Sequence, residues 1–273
     1  MKNVQPVCVL SIAGSDSGGG AGIQADLRTF AALGAHGTTA VTATTAQNTL
    51  GVHDVVALPA SHVRAQIAAV LDDFTIAAVK TGMLANEEII GLVADMTSQG
   101  RLPNLVVDPV LVSTSNHAMV TDGGARAYRE LLLPHTFLLT PNLREAATLV
   151  GIDIADIATV ATMIEVGETL RSLGATNVLM KGGHFAEEGP NAPDILISPN
   201  GTHLFDGARI DTTNDHGTGC SLSAAICTYL AQGATLSDAC RHAKDFVAAA
   251  LRGGSSWRLG RGRGPIDHLG WTP

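Results

Sequence analysis

The sequence predicts an α/β fold in which helices cover both faces of a mostly parallel central sheet. Two observations carry this expectation. Short, almost continuously apolar runs rich in β-branched residues alternate with stretches whose apolar residues recur at helical spacing. The runs are apolar throughout rather than alternating, as strands buried on both faces require. With 273 residues and 45% hydrophobic content, the chain can bury a substantial core. No repeat period, charge block or flexible linker divides it, so residues 1–273 read as a single domain.

Residues 7–13 form the first predicted strand, apolar and ending at Gly14. Ile23, Leu27 and Phe30 follow at helical spacing, and residues 39–45 make the next strand. Val63, Ile67, Val70 and Leu71 lie on one helical face. A strand over 76–80 precedes a helix carrying Ile89, Leu92, Val93 and Met96. A strand over 105–107, a helix near 125–132 and a strand over 136–139 come next. Strands over 177–180 and 195–198 enclose a surface loop at 182–193. Two helices, near 219–231 and 237–251, close the chain.

The formal charge of −8 argues against a nucleic-acid surface. It leaves an anionic small molecule open, because oriented backbone amides hold phosphates on an acidic protein. Arg252, Arg258, Arg261 and Arg263 read either as a phosphate site or, the plainer choice, as a solvated tail. No apolar run reaches the roughly 18 residues of a membrane span, and the first residues show no signal-peptide pattern. Cys8, Cys220, Cys227 and Cys240 form no paired or zinc spacing, so free thiols in a reducing cytoplasm are expected.

In open α/β sheets, ligands bind beyond the carboxyl ends of the strands. Those ends supply a glycine-rich run from Gly14 to Gly22, then Gln47-Asn48-Thr49, Lys80-Thr81-Gly82-Met83, Asp108-Pro109-Val110, Thr140-Pro141-Asn142 and Lys181-Gly182-Gly183-His184. The glycine run is not a dinucleotide fingerprint, since Ile23 stands where a glycine is needed. No Gly-Lys dipeptide exists to form a P-loop. A second cradle, Asn214-Asp215-His216-Gly217-Thr218-Gly219-Cys220, opens an apolar helix with Leu222, Ile226 and Leu230.

Glycines there let successive N–H groups converge, and the helix start adds positive potential suited to a transferring phosphoryl group. The same helix start is expected to lower the Cys220 thiol pKa. Cys227 and Cys240 lack such context and read as core. Asn142 and Glu145, spaced i, i+3, are either oxygen donors toward a hydrated Mg²⁺ or a polar pair at a helix start. Lys181 either pairs with ATP phosphates or is a solvated strand-edge lysine. His184 and His216 stand near this edge without metal-ligand spacing.

Together these segments resemble the bacterial hydroxymethylpyrimidine/phosphomethylpyrimidine kinases of thiamine biosynthesis. The resemblance is carried in order by the run from Ala13 to Asp26, by Gln47-Asn48-Thr49 and by Lys80-Thr81-Gly82-Met83-Leu84. It continues through Asp108-Pro109-Val110, Thr140-Pro141-Asn142-Leu143 with Glu145-Ala146, Met180-Lys181-Gly182-Gly183-His184 and His216-Gly217-Thr218-Gly219-Cys220. It implies a ribokinase-like three-layer sandwich, a homodimer, ATP with Mg²⁺, and two successive phosphorylations of 4-amino-5-hydroxymethyl-2-methylpyrimidine.

Carried over, Gly14, Ala21, Asp26, Gln47, Met83 and Val110 would surround the pyrimidine, with Gln47 pairing its ring nitrogen and amino group. Lys181, Asn142 and the Gly217–Gly219 turn with Thr218 would hold ATP phosphates. Asp108, Asn142 and Glu145 would organise Mg²⁺ and its water, and Cys220 would take the hydroxyl proton as thiolate. Asp215 stands where the family often has threonine, Asn116 where it often has glycine, and Arg261 and Arg263 where histidines are common. The runner-up is a pyridoxine or pyridoxal kinase, whose substrate also carries a hydroxymethyl arm on a nitrogen ring.

Overall fold

The computed structural model describes residues 5–111, 123–183 and 191–272. Its first half comprises β1 (Cys8–Asp16), α1 (Gly22–Ala32), β2 (His36–Asn48), β3 (Gly51–Ala57), α2 (Ala60–Asp73), β4 (Ile76–Thr81), α3 (Glu87–Ser98) and β5 (Val106–Val107). Then follow α4 (Gly124–Ala127), β6 (Leu138–Leu139), α5 (Leu143–Val150), α6 (Val160–Ser172), β7 (Asn177–Lys181), β8 (Asp194–Ser198), β9 (Gly201–Phe205), α7 (Thr218–Ala231) and α8 (Leu236–Gly254). The strands form one nine-stranded sheet in the order β3-β2-β1-β4-β5-β6-β7-β8-β9. Strands β2 through β7 in that order run parallel, while β3, β8 and β9 are antiparallel additions at the two edges.

Alternating side chains of each strand feed two cores, because successive Cβ atoms point to opposite faces. Leu10 and Ile12 of β1 and Val79 of β4 pack with Val63 and Ile67 of α2 and with Ile89 and Val93 of α3. Val9 and Ala78 instead face Phe30 of α1, Leu222 and Ile226 of α7 and Val247 of α8. Helices therefore cover both faces, in agreement with the sequence pattern.

Several boundaries and elements differ from expectation. β2 runs on to Asn48, beyond the expected residue 45, because its distal half pairs with β3 as a projecting ribbon. The helix expected near 125–132 is α4 followed by a π turn over Tyr128–Leu132. Strand β6 is shorter than 136–139, since Thr136 turns its hydroxyl to Leu132 O. β3, α6 and β9 were not anticipated. Within the 182–193 loop, residues 184–190 lie outside the described set; Gly182 packs so closely on Pro193 that a Cβ would stand 2.0 Å from its carbonyl oxygen.

Candidate active site

The sheet order places a topological switch between β1 and β4: chain continues to β2 on one side and to β5 on the other. Loops after those two strands diverge and leave a crevice at their carboxyl ends. Gly14 and Met83 meet across it, so closely that a Cβ on Gly14 would come within 2.6 Å of Met83 Cε. Asp16, the last residue of β1, organises the glycine-rich loop. Its Oδ1 accepts Gly18 N–H at 2.8 Å, and its Oδ2 accepts Gly20 and Ala21 N–H at 2.9 and 2.8 Å. Burial alone would raise this carboxyl; hydrogen bonds from His216, Ala21 and Gly18 override it and hold it below the usual range.

The loop then meets the second glycine turn. Gly217, with φ of +89°, precedes α7, and a Cβ there would lie 1.9 Å from Gly20 O. Only glycine fits on both counts. His216 Nε2 stands 3.0 Å from Asp16 Oδ2 and 3.2 Å from Gln47 Nε2. With its proton donated to Asp16, the ring nitrogen offers Gln47 no acceptor.

An apolar floor lies beside Gln47. Ala43, Met83 and Ala85 are buried together, with Val110 packed against them. Ala21 is half-buried at the start of α1. Asp26 corrects an expectation: it is fully buried, and both carboxylate oxygens lie 2.9 Å from Lys80 Nζ while Ser11 Oγ donates to Oδ2 at 2.5 Å. With both carboxylate oxygens bonded to Lys80 in the core, Asp26 serves to hold that lysine. A Cβ on Gly82 would lie 2.9 Å from that lysine's Nζ, so the ion pair underlies the turn that carries Met83.

Near Cys220 sits a charged group. Lys181 Nζ is 2.9 Å from Asp108 Oδ1 and 3.9 Å from Glu145 Oε2, and all three are largely buried. The α7 start adjoins them: a Cβ on Gly219 would lie 3.3 Å from Lys181 Nζ and 3.8 Å from Asp108 Oδ2. Backbone N–H groups at that helix start and an ammonium therefore converge on one space, as an anion requires. Asn142 shows the helix-start pairing that was one of its two readings. Its Oδ1 accepts Glu145 N–H and Glu145 Oε2 accepts Asn142 N–H, a capping box that starts α5. Asn142 therefore positions Glu145.

The remaining hard oxygen donors, Asp108 and Glu145, suit a magnesium ion that keeps most of its water. Among the described residues no cluster of three or more His, Cys, Asp or Glu forms a direct metal cage. Burial, reinforced by Asp108, pushes the Glu145 carboxyl up to about 7 despite Lys181. Folding thus takes up a proton between the unfolded value near ~4.3 and about 7, and the stability contributed by this group falls as pH rises across that window. Glu145→Gln retains the capping box, which glutamine also closes. In urea titrations the variant should gain stability relative to the parent between pH 5 and pH 8, while turnover falls about 10²-fold. A stability difference independent of pH would remove the strain assigned to this carboxylate.

Cys220 corrects the expectation of an acidic thiol. It is half-buried in the first turn of α7 with a Gly22 N–H directed at its sulfur. Desolvation outweighs that hydrogen bond and the nearby Lys80 charge, pushing the thiol up to about 11. Sequence reasoning brought Asp16, His216 and Lys80 to this edge but gave none of them a role. His184, Asn116 and the 113–119 loop lie outside the described residues. The two departures in charge are partners: Arg263 makes a bidentate ion pair with Asp215, neutralising it beside the anion turn.

A glycine-lined helix start, a lysine between two carboxylates and an apolar crevice at a sheet switch point define a ribokinase-like phosphotransferase site. The chain belongs to the phosphomethylpyrimidine kinase family, which it matches over residues 16–267. It is 42% identical to the hydroxymethylpyrimidine/phosphomethylpyrimidine kinase of Haemophilus influenzae, covering 100% of this chain and 99% of that one. It is 44% identical to the thiamine biosynthesis bifunctional protein ThiED of Geobacter sulfurreducens over 96% of this chain, but spans only 52% of that protein. Among solved structures, an ADP complex of Bacillus subtilis pyridoxal kinase superposes with a TM-score of 0.86 at 37% identity, covering 97% and 98% of the two chains. Phosphomethylpyrimidine kinase from Clostridium difficile gives 0.78 at 39% identity over 90% and 99%.

Proposed function

We infer that the protein transfers the γ-phosphoryl group of ATP to the hydroxymethyl arm of 4-amino-5-hydroxymethyl-2-methylpyrimidine, and then to the resulting monophosphate, supplying thiamine biosynthesis. One observation carries the reading: Cys220, in the first turn of α7, lies within electrostatic reach of Lys181 and Asp108 while the Gly22 N–H at the end of the glycine-rich loop points at its sulfur. The similarity to hydroxymethylpyrimidine/phosphomethylpyrimidine kinases over whole chains supports the substrate. One continuous sheet supports placing the activity in a single domain, residues 1–273.

Gln47 offers its amide to the pyrimidine, Met83 and Val110 give the ring an apolar bed, and Gly14 and Ala21 leave room for it. Lys181, drawn off Asp108 and Glu145 by a nucleotide, holds its phosphates together with the Gly217–Gly219 amides and Thr218. The hydroxymethyl oxygen bonds to the γ-phosphorus as the bridging bond to ADP breaks, and the hydroxyl proton passes to Cys220 Sγ. Asp108 and Glu145 would hold a magnesium ion, which would neutralise charge on the phosphates.

Exposed Leu50 and Val56 on the β2–β3 ribbon support a homodimer. Four free cysteines support a reducing cytoplasm, and none of the described helices is long and apolar enough to cross a membrane.

A coupled assay of ADP release, run separately with the pyrimidine alcohol, its monophosphate and pyridoxal, tests the assignment. Both pyrimidines should be phosphorylated with kcat/KM at least about tenfold above pyridoxal, since Gln47 matches a ring nitrogen beside an amino group. The similarity to pyridoxal kinases makes the reverse order the informative failure.

A further inference from the structure

A second cavity, of about 350 Å³, opens behind the glycine-rich loop, between Gly18–Gly19 and the chain after α8. Its volume falls within the roughly 300–1,000 Å³ common for small-molecule sites. It shares neither Gln47 nor Met83 nor Cys220 with the site described above. The only two tryptophans of the chain, Trp257 and Trp271, both line it, stacked with ring centroids 6.0 Å apart. Trp271 is 69% exposed, an unusual state for so large an apolar surface, and Leu259 and Leu269 beside it are 52% and 44% exposed.

Positive charge gathers at the same place. Arg28 lines the cavity, with Nη1 bonded to Gly19 O and the guanidinium plane lying along that glycine. Arg258 and Arg261 flank the lining residues Trp257, Leu259 and Gly260 and are exposed. Among the described residues no carboxylate forms an ion pair with Arg28, Arg258 or Arg261, whereas Arg263 is tied to Asp215. The lining carboxylate, Asp267, accepts the backbone N–H groups of Leu269, Trp271 and Thr272 and so fixes the turn that presents Trp271. On an acidic protein, an aromatic wall edged by guanidinium groups that bond only backbone carbonyls or face solvent selects a flat ring that bears negative charge.

We propose that this cavity is a second binding site for a phosphorylated heteroaromatic ring, the ring on Trp257 and Trp271 and the phosphate on the arginines. The identity of that ring rests on the function inferred above, whose own product has this chemistry. The site reaches the catalytic centre through two links. Gly18 and Gly19 belong to the loop that Asp16 organises, and His268 Nε2 lies 2.7 Å from Ser221 Oγ, one residue beyond Cys220.

Because no other tryptophan exists, indole emission of the full-length protein reads this cavity directly. Titration with hydroxymethylpyrimidine monophosphate, without ATP, should quench it saturably, and inorganic phosphate should bind at least about tenfold more weakly for want of a ring. Arg258→Gln/Arg261→Gln, two exposed changes, should weaken the response about tenfold and leave kcat unchanged. Gln47→Leu, which disables the hollow, should leave the midpoint unmoved. The proposal is overturned by an absent response, or by a response lost in Gln47→Leu and kept in the arginine variant. Emission that varies with protein concentration without ligand would also overturn it, marking a face covered by a second copy. Turnover is read separately, so a protein that quenches without phosphorylating the pyrimidine would refute the inferred function and leave this site standing.

Discussion

Lys80→Met is expected to destabilise the protein by about 3–5 kcal/mol, the cost of breaking a fully buried ion pair. Lys80 and Asp26 are both completely buried, joined by two 2.9 Å contacts between the core strand β4 and helix α1. Burial alone would pull the ammonium down; the Asp26 carboxylate overrides it and holds Lys80 above the ordinary lysine range. Methionine fills nearly the same volume, so the cost comes from a stranded carboxylate with only Ser11 for company. Burial already pushes the Asp26 carboxyl upward, and more so once the lysine is gone. A folded value above the unfolded ~3.9 means that stability is lost as pH rises, so the deficit should shrink toward pH 4. Lys80→Met/Asp26→Leu should recover most of the loss, since a packed apolar pair replaces a buried ion pair at little cost. A single-variant loss below ~1 kcal/mol in urea unfolding, or a double variant no better than the single, would contradict the assignment.

This pair also shows what a linear sequence conceals. β1 and β4 were legible as apolar runs, and α7 and α8 as amphipathic helices after a glycine turn. Lys80 itself looked like the polar end of a strand; only the fold brings Asp26, in another element, against it. The same holds for His216 and Asp16, and for Arg263 and Asp215, which look like separate departures and prove to neutralise each other. β3 escaped detection because it buries no face: its side chains are half or fully exposed along its length. α6 does carry a stripe of Met163, Val166, Gly167 and Leu170, but glycine occupies one of its core positions. A Cβ there would come within 2.5 Å of Ile197 Cδ1, so packing demands the residue that weakens the pattern.

The chemistry-bearing strand ends were legible for a different reason: a parallel sheet collects them at one edge whatever their separation in sequence. What the sequence could not supply was the environment of each group. Asn142 and Glu145 at i, i+3 fit a metal site and a capping box equally well, and only the hydrogen bonds show that the box is made. The helix start at Cys220 correctly located an anion cradle, yet the thiol responds first to the protein packed around it.

Cys220→Ala should lower kcat by about 10²–10³-fold while changing pyrimidine affinity less than about threefold. Burial pushes the Cys220 thiol up to about 11, so the thiolate is the minor form at pH 7. A base so scarce is also strong, and a loose phosphoryl-transfer transition state asks for proton removal only late, when the hydroxyl oxygen has become acidic. Lys80 favours the thiolate; Asp108 and Asp26 oppose it. The sign follows: the active form is deprotonated, so kcat of the parent should climb with pH from 7 toward 10, close to tenfold per unit where chemistry limits. In Cys220→Ala that climb should vanish together with the rate. Alkylation by iodoacetamide should accelerate over the same range and be blocked by the pyrimidine, since the thiolate is the nucleophile. A variant that keeps both full turnover and the parental pH profile would show that the proton leaves by another route, and that Cys220 only shapes the turn between the two halves of the site.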